Sequence, residues 1–375
     1  MQLFDVYPLY DIIPVKGQGT YVFDNEGKKY LDLYGGHAVI SIGHSHPIYV
    51  NAISQQVARL GFYSNSVKNP LQQELADQLE KLSGIKDYSL FLCNSGAEAN
   101  ENALKVASFH TRKDRIIYFD KAFHGRTSGV VAVTDNENIK APFNQNHKVT
   151  KLAFEDTQAL ENELRKGDVA AVIFEVIQGV GGLEEASAEF YQKTAELCQT
   201  YSSVLIADEV QAGYGRTGDF FAFQKHNIRP DIISIAKGMG NGFPIGGILI
   251  DKSIKAKSGM LGTTFGGNHL ACAAGIAVLK VLEKENLLKN AKELFEYVQE
   301  KAAEIPQIKQ IKGRGLMIGL EFDFEIAQIR KEILYKHQIF TGASANKKLL
   351  RILPPLNIKK EQFDKLFKAL KIVLK

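Results

Sequence analysis

The sequence has no tryptophan, three cysteines, ten prolines and no long uninterrupted apolar run. Cys93, Cys198 and Cys272 are too few and too scattered for a disulfide framework or a thiolate zinc site. No Pro- or Ser-rich stretch reads as a linker, and no low-complexity tract or internal repeat interrupts the chain. A membrane-spanning helix needs about 20 consecutive apolar residues, which occur nowhere. Neither sign of charge dominates. The 46 Lys and Arg against 42 Asp and Glu leave a net charge of +4 over 375 residues, far from the basic footprint of a nucleic-acid-binding protein. The N-terminus, Met1-Gln-Leu-Phe-Asp5, has no basic stretch and an early acid, unlike a signal peptide. A soluble, cytoplasmic protein with neither membrane nor nucleic acid as partner is expected. What is present is globular: 45% hydrophobic and 23% charged residues, enough at this length for a sizeable core and two or three domains.

Along the chain the hydrophobic period changes twice. Tyr21-Val-Phe and Lys29-Tyr-Leu-Asp-Leu flank the turn Asp24-Asn-Glu-Gly, a strand–turn–strand signal. Residues 47–60 and 71–82 follow with apolar positions at helical spacing (Val50, Ile53, Val57 and Leu60 in the first). From Tyr88 short apolar runs alternate with helical stretches. The runs are 89–93, 115–119, 170–174, 204–207 and 231–236, apolar on both faces as buried parallel strands are. The stretches 97–110 and 188–201 suit crossover helices. After about Phe265 come helices over 272–282 and 291–304, strands over 316–322 and 349–353, and an amphipathic helix over 361–374. The expected architecture is α/β, with a large domain over 51–264 holding a mainly parallel sheet. A smaller α+β domain is built from both termini, 1–50 and 265–375.

In open α/β sheets reactive groups gather beyond the carboxyl ends of strands. The run ending at Cys93 continues as Asn94-Ser95-Gly96-Ala97-Glu98, small residues opening a helix where an anion can reach unpaired N–H groups. Ser95 serves equally well as the N-cap of a plain turn. Two later strand ends break that tie. Val204-Leu-Ile-Ala ends in Asp208-Glu209, and Asp231-Ile-Ile-Ser-Ile-Ala ends in Lys237 before a glycine-rich loop. Pyridoxal 5'-phosphate (PLP) needs this set: a lysine for its Schiff base, an acid at its pyridine nitrogen and a phosphate cradle.

Five further segments stand in order: Ser95-Gly-Ala-Glu-Ala-Asn-Glu101, Phe123-His-Gly-Arg-Thr127, Asp208-Glu-Val-Gln211, Lys237-Gly238 and Gly262-Thr-Thr-Phe-Gly-Gly-Asn268. With Gly43-His-Ser-His-Pro47 and Arg351-Ile-Leu-Pro-Pro355 they cover nearly the whole chain. The sequence resembles the class III (subgroup II) PLP-dependent aminotransferases, most of all the N-acetylornithine aminotransferase family of arginine biosynthesis. The resemblance implies the fold type I of PLP-dependent transferases. It implies transfer of the δ-amino group of an N2-acylornithine, acetyl or succinyl, to 2-oxoglutarate, giving the semialdehyde and glutamate. Lys237 and Asp208 would be catalytic. Phe123 and Val210 would hold the two ring faces, Gln211 the phenolic oxygen, and the Gly96 and Ala97 N–H groups the phosphate. Thr264 would reach that phosphate from a second subunit, making a homodimer with shared active sites. Arg126 and Thr263 would meet the donor, and Arg351 the α-carboxylate of glutamate or 2-oxoglutarate, through the forked geometry arginine offers carboxylates.

Departures from the family pattern bear on the substrate. Gln178-Gly-Val180-Gly181 carries valine where the family usually has a glutamate that pairs with the Arg351 position. Arg351 is then expected to stay available unless another acid, Glu175 for instance, substitutes, and a more anionic donor such as N-succinylornithine is favoured. Leu261 and His269 also differ, and His37 stands where the family usually has an aliphatic residue. Ornithine δ-aminotransferase and 4-aminobutyrate aminotransferase are the alternatives within the class; a PLP-free scaffold is the alternative outside it. A nucleotide-dependent oxidoreductase would need a glycine fingerprint after the first strand, and Gly313-Arg-Gly-Leu-Met-Ile-Gly319 stands before a strand instead.

Overall fold

The structure is a computed structural model describing residues 1–375. Strands β1 (Pro14–Gln18), β2 (Tyr21–Asp24) and β3 (Lys29–Asp32) form an antiparallel meander after an exposed arm. The β2–β3 turn is fixed by Asp24, whose Oδ1 accepts from the Glu26 and Lys28 amides. Helices Pro47–Arg59 and Pro70–Ser83 follow, both with proline in the first turn, where its missing N–H costs nothing.

The centre is a seven-stranded sheet. Its members are β4 (Tyr88–Cys93), β5 (Arg115–Phe119), β6 (Val149–Leu152), β7 (Val169–Glu175), β10 (Val204–Asp208), β11 (Ile232–Ile235) and β12 (Gly246–Asp251), in the order β4-β12-β11-β10-β7-β5-β6. A small ribbon, β8 (Ile177–Gln178) with β9 (Glu184–Glu185), lies outside it. Only β12 runs against its neighbours. Both faces are covered, as a parallel sheet requires. Ile116, Tyr118, Ala171, Ile173, Val204 and Ile206 pack under helix Gly96–Thr111. Their alternates Ile117, Phe119, Val172, Phe174, Leu205 and Ala207 enter the larger core on the other side. This alternation is the period of two that places successive side chains on opposite faces.

Helices His269–Lys284 and Leu287–Ala303 lead into a three-stranded antiparallel sheet, β13 (Gln310–Arg314), β14 (Met317–Glu321) and β16 (Leu349–Ile352). Strand β15 (Ile339–Phe340) crosses to pair with β3, so the two chain ends share one sheet.

Several elements differ from expectation. Strand β12 follows Pro244 and a glycine-rich loop, so nothing local marks it; pairing on both sides with β11 and β4 makes it a strand. Strand β13 contains Gly313, and Gly313 and Gly315 are the positive-φ residues of the β13–β14 hairpin. Strands β6 and β15 and helices Thr157–Leu164 and Ala327–His337 are too short or too weakly periodic to announce themselves. The histidines of residues 43–47 each hold a carboxylate: His44 Nε2 lies 2.8 Å from Asp32 and His46 Nε2 2.8 Å from Glu285.

Candidate active site

Parallel pairing decides which residues meet. Asp208 ends β10 directly opposite Glu175 at the end of β7 and Ser234 near the end of β11. Three consecutive strands therefore present their last residues at one edge, with Lys237 two residues beyond β11. Helix Gly96–Thr111 starts at the same edge. Its N-cap Ser95 accepts from the Glu98 amide at 3.2 Å, and Glu98 reaches back to the Asn94 amide at 2.9 Å. The N–H groups of Gly96 and Ala97 fall in the first turn, which has no intrahelical partner for them, and the helix end is electropositive.

These elements enclose a cavity of about 400 Å³. It brings together Gly96, Ala97, Phe123 and Arg126 with Asp208, Val210, Gln211 and Lys237. Gly96 packs so tightly under Val210 that a Cβ there would lie 2.6 Å from Val210 Cγ1. Thr263 and Thr264 do not line it. Thr263 Oγ1 instead accepts from the Gly266 amide at 3.0 Å in a separate cleft along β4, and Thr264 is exposed.

Asp208 is 4% exposed and heavily tied. Its Oδ2 accepts from Asn100 Nδ2 and His124 Nδ1, both at 2.7 Å, and its Oδ1 from the Val210 amide at 3.0 Å. Asn100 also donates to the His124 carbonyl at 2.8 Å. The neighbouring Glu209 faces away, onto the Ala222 and Phe223 amides, and burial pushes its carboxyl up to about 8. Asn100 and His124 are not singled out from the sequence, and Glu175 is named there only as a substitute acid for Arg351. The first two sit inside recognised motifs, but which way they face depends on the helix and the loop packing against β10.

Glu175 spans two walls of the site, accepting from the Phe123 amide and the Gly179 amide, each at 2.9 Å. Burial raises its pKa, with nearby Asp208 adding to the effect and His124 opposing it. Both carboxylate oxygens are engaged by amides, so Glu175 makes no ion pair with Arg351. Lys237 makes no side-chain hydrogen bond or ion pair in the chain, and its φ of 45° is left-handed. Burial lowers its pKa, against the pull of Asp208 and Glu175, and Arg351 pushes the same way as burial. A lysine poised toward its neutral form in a cleft is suited to nucleophilic and proton-transfer work.

Arg351 is 3% exposed. Its Nη1 donates to the Gly179 carbonyl at 2.5 Å, its guanidinium carbon lies 5.9 Å from the centre of the Tyr34 ring, and its Nε has no partner. Arg126, at the cavity rim, is exposed and unpaired. Two arginines and a lysine at the site thus make no ion pair, although Asp208 and Glu175 act on Lys237 from a distance.

The residues fit PLP. The cradle beside Gly96 would be filled by any Cβ, which leaves the first-turn N–H groups open to a phosphate. The volume is within the range of small-ligand pockets, and Gln211 Oε1 is buried without a partner inside it. Asp208 puts on the cavity wall the acid that a ring nitrogen would need.

A family model described as aminotransferase class-III matches residues 5–374. The chain is 39% identical to the acetylornithine aminotransferase of Bacillus cereus, over 99% of this chain and 97% of that protein. It is 40% identical to the acetylornithine aminotransferase of Bacillus subtilis, over 98% and 96%. Among solved structures, the ornithine aminotransferase of Toxoplasma gondii superimposes with a TM-score of 0.90 at 28% identity, covering 98% of this chain and 92% of that one. A second structure of the same protein, described as revealing partial occupancy of PLP at the active site, gives 0.87 at 28% identity, covering 96% and 89%.

Proposed function

The chain belongs to the class-III aminotransferases, PLP-dependent enzymes of fold type I, and from that premise we propose that it moves the δ-amino group of an N2-acylornithine to 2-oxoglutarate. The products are the N-acylated glutamate semialdehyde and glutamate. The observation that carries this reading is a set of three cations without ion-pair partners: Lys237 and Arg126 line the cavity, and Arg351, buried behind the Gly179 carbonyl, lies close enough to lower the Lys237 pKa. A lysine whose pKa burial lowers handles an amine, and two separate forks handle carboxylates.

Bound PLP supplies an aldehyde that takes up amines and a ring that accepts the electron pair left by deprotonation. The protein does the rest. Lys237 Nζ is the attachment point and then carries the proton to and from the reacting carbon. Asp208, immobilised by Asn100 and His124, would keep the proton on the ring nitrogen. Phe123 and Val210 would hold the ring faces, Gln211 the phenolic oxygen, and the Gly96 and Ala97 N–H groups the phosphate. Arg126 holds the donor α-carboxylate and Arg351 that of 2-oxoglutarate. Thr263 meets the donor in this reading, although it lies outside the cavity of the single chain.

The acetyl donor follows the names of the relatives. A second reading, N-succinylornithine, is favoured by one observation: Val180 leaves Arg351 with no acid, so an extra carboxylate has a place to bind. Steady-state kcat/KM for acetylornithine, succinylornithine, ornithine and 4-aminobutyrate with 2-oxoglutarate decides among them. A clear preference for acetylornithine removes the second reading; no turnover with any acylornithine removes the first. Lys237→Ala is expected to lose the absorbance band of lysine-bound PLP.

The working unit in this reading is a cytoplasmic homodimer. The chain exposes Leu3, Phe4, Tyr7 and Leu9 on the arm, and helix Pro47–Arg59 buries no residue. Phe62 and Phe265, both exposed, lie with tilted rings 5.4 Å apart. These surfaces suit a second copy, with Thr264 reaching that copy's phosphate. The large domain spans 51–264 and the small one 1–50 with 265–375. Light scattering that gives a single-chain mass for the PLP-loaded protein would defeat the dimer. No helix is long and apolar enough to cross a membrane.

A further inference from the structure

A buried guanidinium normally has an acid beside it, because an unpaired buried charge costs several kcal/mol. Arg351 has only neutral partners, the Gly179 carbonyl and Tyr34. Tyr34 in turn reaches His37: its hydroxyl is within hydrogen-bond distance of the imidazole, and the two rings lie 4.7 Å apart at 58°.

The backbone works to place this pair. Asp32 Oδ1 accepts from the Tyr34 amide at 3.0 Å and the Gly35 amide at 2.8 Å. The next four residues, Gly35, Gly36, His37 and Ala38, all have left-handed φ, from 55° to 67°. Each non-glycine residue there carries a strain of about 1–2 kcal/mol, and such strain collects at functional sites. A Cβ on Gly35 would lie 2.8 Å from the Leu353 carbonyl, so the turn is pressed against the end of β16, the strand that carries Arg351. The His37 carbonyl also receives Gln211 Nε2 at 3.4 Å.

The charged and titratable groups around His37 are Tyr34, Arg351 on β16 and Lys237 beyond β11. Around Tyr34 are also Arg330, from helix Ala327–His337, and Tyr10 of the arm. The nearest carboxylates are engaged elsewhere: Asp32 by the Tyr34 and Gly35 amides and His44, and Glu175, which acts on Arg351 only at a distance, by the Phe123 and Gly179 amides. Surrounding protein, then Arg351 and Lys237, hold the His37 imidazole below its ordinary pKa. A carboxylate docked on Arg351 cancels one of those cations. By linkage, whatever favours the protonated imidazole is itself bound more tightly when the imidazole is protonated.

We propose that His37, held by Tyr34, is a positioning and specificity residue for the substrate carboxylate that docks on Arg351. It takes up a proton as that carboxylate binds, and so adds a positive charge for the dicarboxylate substrate alone. An acyl donor that leaves Arg351 empty leaves His37 neutral. The two half-reactions are then distinguished without the glutamate that Val180 replaces. This rests on the proposed function only for the identity of the dicarboxylate.

The test is calorimetric titration of the PLP-loaded enzyme with glutarate, a dicarboxylate that cannot be transaminated. Titrations in two buffers of different ionisation enthalpy, between pH 5.5 and 8, give the protons taken up. Wild type is expected to take up a fraction of a proton near neutral pH and to bind glutarate about 5- to 10-fold more tightly at pH 5.5 than at pH 8. His37→Asn, neutral at every pH and tolerant of left-handed backbone, is expected to lose the uptake and flatten the profile. Tyr34→Phe, which removes the hydroxyl that holds His37 and keeps the ring over Arg351, is expected to reduce the uptake by half or more. Equal uptake in wild type and His37→Asn overturns the inference, as does unchanged uptake in Tyr34→Phe or failure of glutarate to bind. The absorbance of lysine-bound PLP on the same samples, with turnover of acylornithine, reports on the proposed function separately.

Discussion

Arg126 and Arg351, the two carboxylate forks of the proposed reaction, differ in exposure, and that difference predicts separable kinetics. A hydrogen-bonded charge pair in a buried setting is worth about 1.5–3 kcal/mol, so Arg351→Ala is expected to raise KM for 2-oxoglutarate on the order of 10²-fold with little change for the donor. Arg126→Ala is expected to act on the donor KM, by a smaller factor because its site is wetter, and to spare the PLP absorbance. If both variants impair both substrates equally, the two-fork assignment fails. Asn100 is the residue to test for support of the ring. Its amide holds Asp208 Oδ2 and the His124 carbonyl together. Asn100→Ala is expected to weaken PLP binding by about 10-fold, since one buried hydrogen bond to a charge is lost, while the circular dichroism spectrum stays native. An equilibrium titration with PLP measures it.

The strand ends and one helix N-terminus make the site an edge of the sheet. Register, more than sequence, brings Asp208, Glu175 and Ser234 level. The helix contributes through its first turn, where Gly96 is required by contact with Val210. Gly96→Ala is expected to displace Val210 and narrow the phosphate cradle. PLP affinity should fall by 10-fold or more, with stability nearly unchanged because alanine favours a helix over glycine by about 1 kcal/mol. Unaltered PLP affinity would mean the phosphate binds elsewhere. At this scale the elements read from the sequence were those with strong periodicity or apolar runs. Strand β12 escaped because Gly246 and Gly247 carry no strand preference; they are small because Gly246 lies against the Ser95 carbonyl and Gly247 against that of Phe91.

The whole molecule is held across its large and small sheets by charges as well as core. Arg314, at the end of β13, meets Asp219 at 3.0 Å and Glu185 at 3.1 Å and donates to the Ala222 carbonyl at 3.0 Å. His226 also contacts Glu185, at 2.9 Å. Removing one partner of a buried pair typically costs about 3–5 kcal/mol. Arg314→Ala, 9% exposed in the native chain, is therefore expected to lose about 3 kcal/mol in denaturant unfolding. Burial alone would raise the Glu185 pKa, but the bonds from His226 and Arg314 outweigh it and the net shift is downward. The unfolded chain then binds more protons than the folded one. The contribution of Glu185 is complete above about pH 4.5, the ordinary glutamate value, and is lost as pH falls toward the lowered folded value. Thermal unfolding midpoints should drop in that acid window and drop less in Glu185→Gln. Equal slopes would show that the network is not what acid dissolves.

The sequence by itself determined the chemistry. Lys237, Asp208 and the turn at Ser95–Ala97 are legible because each lies within a few residues of a strong apolar run, and local order sets which strand end each occupies. The same holds for the family, whose segments survive in order along nearly the whole chain. What only the tertiary structure decided are relations between residues far apart in sequence. Arg351 on β16 is brought to Gly179, 172 residues earlier, and His124 and Asn100 turn onto Asp208. Tyr34 and His37 stand over an arginine that has no acid. These depend on strand register, on a left-handed turn pressed against β16 and on the desolvation of charges, none of which any single stretch of sequence encodes.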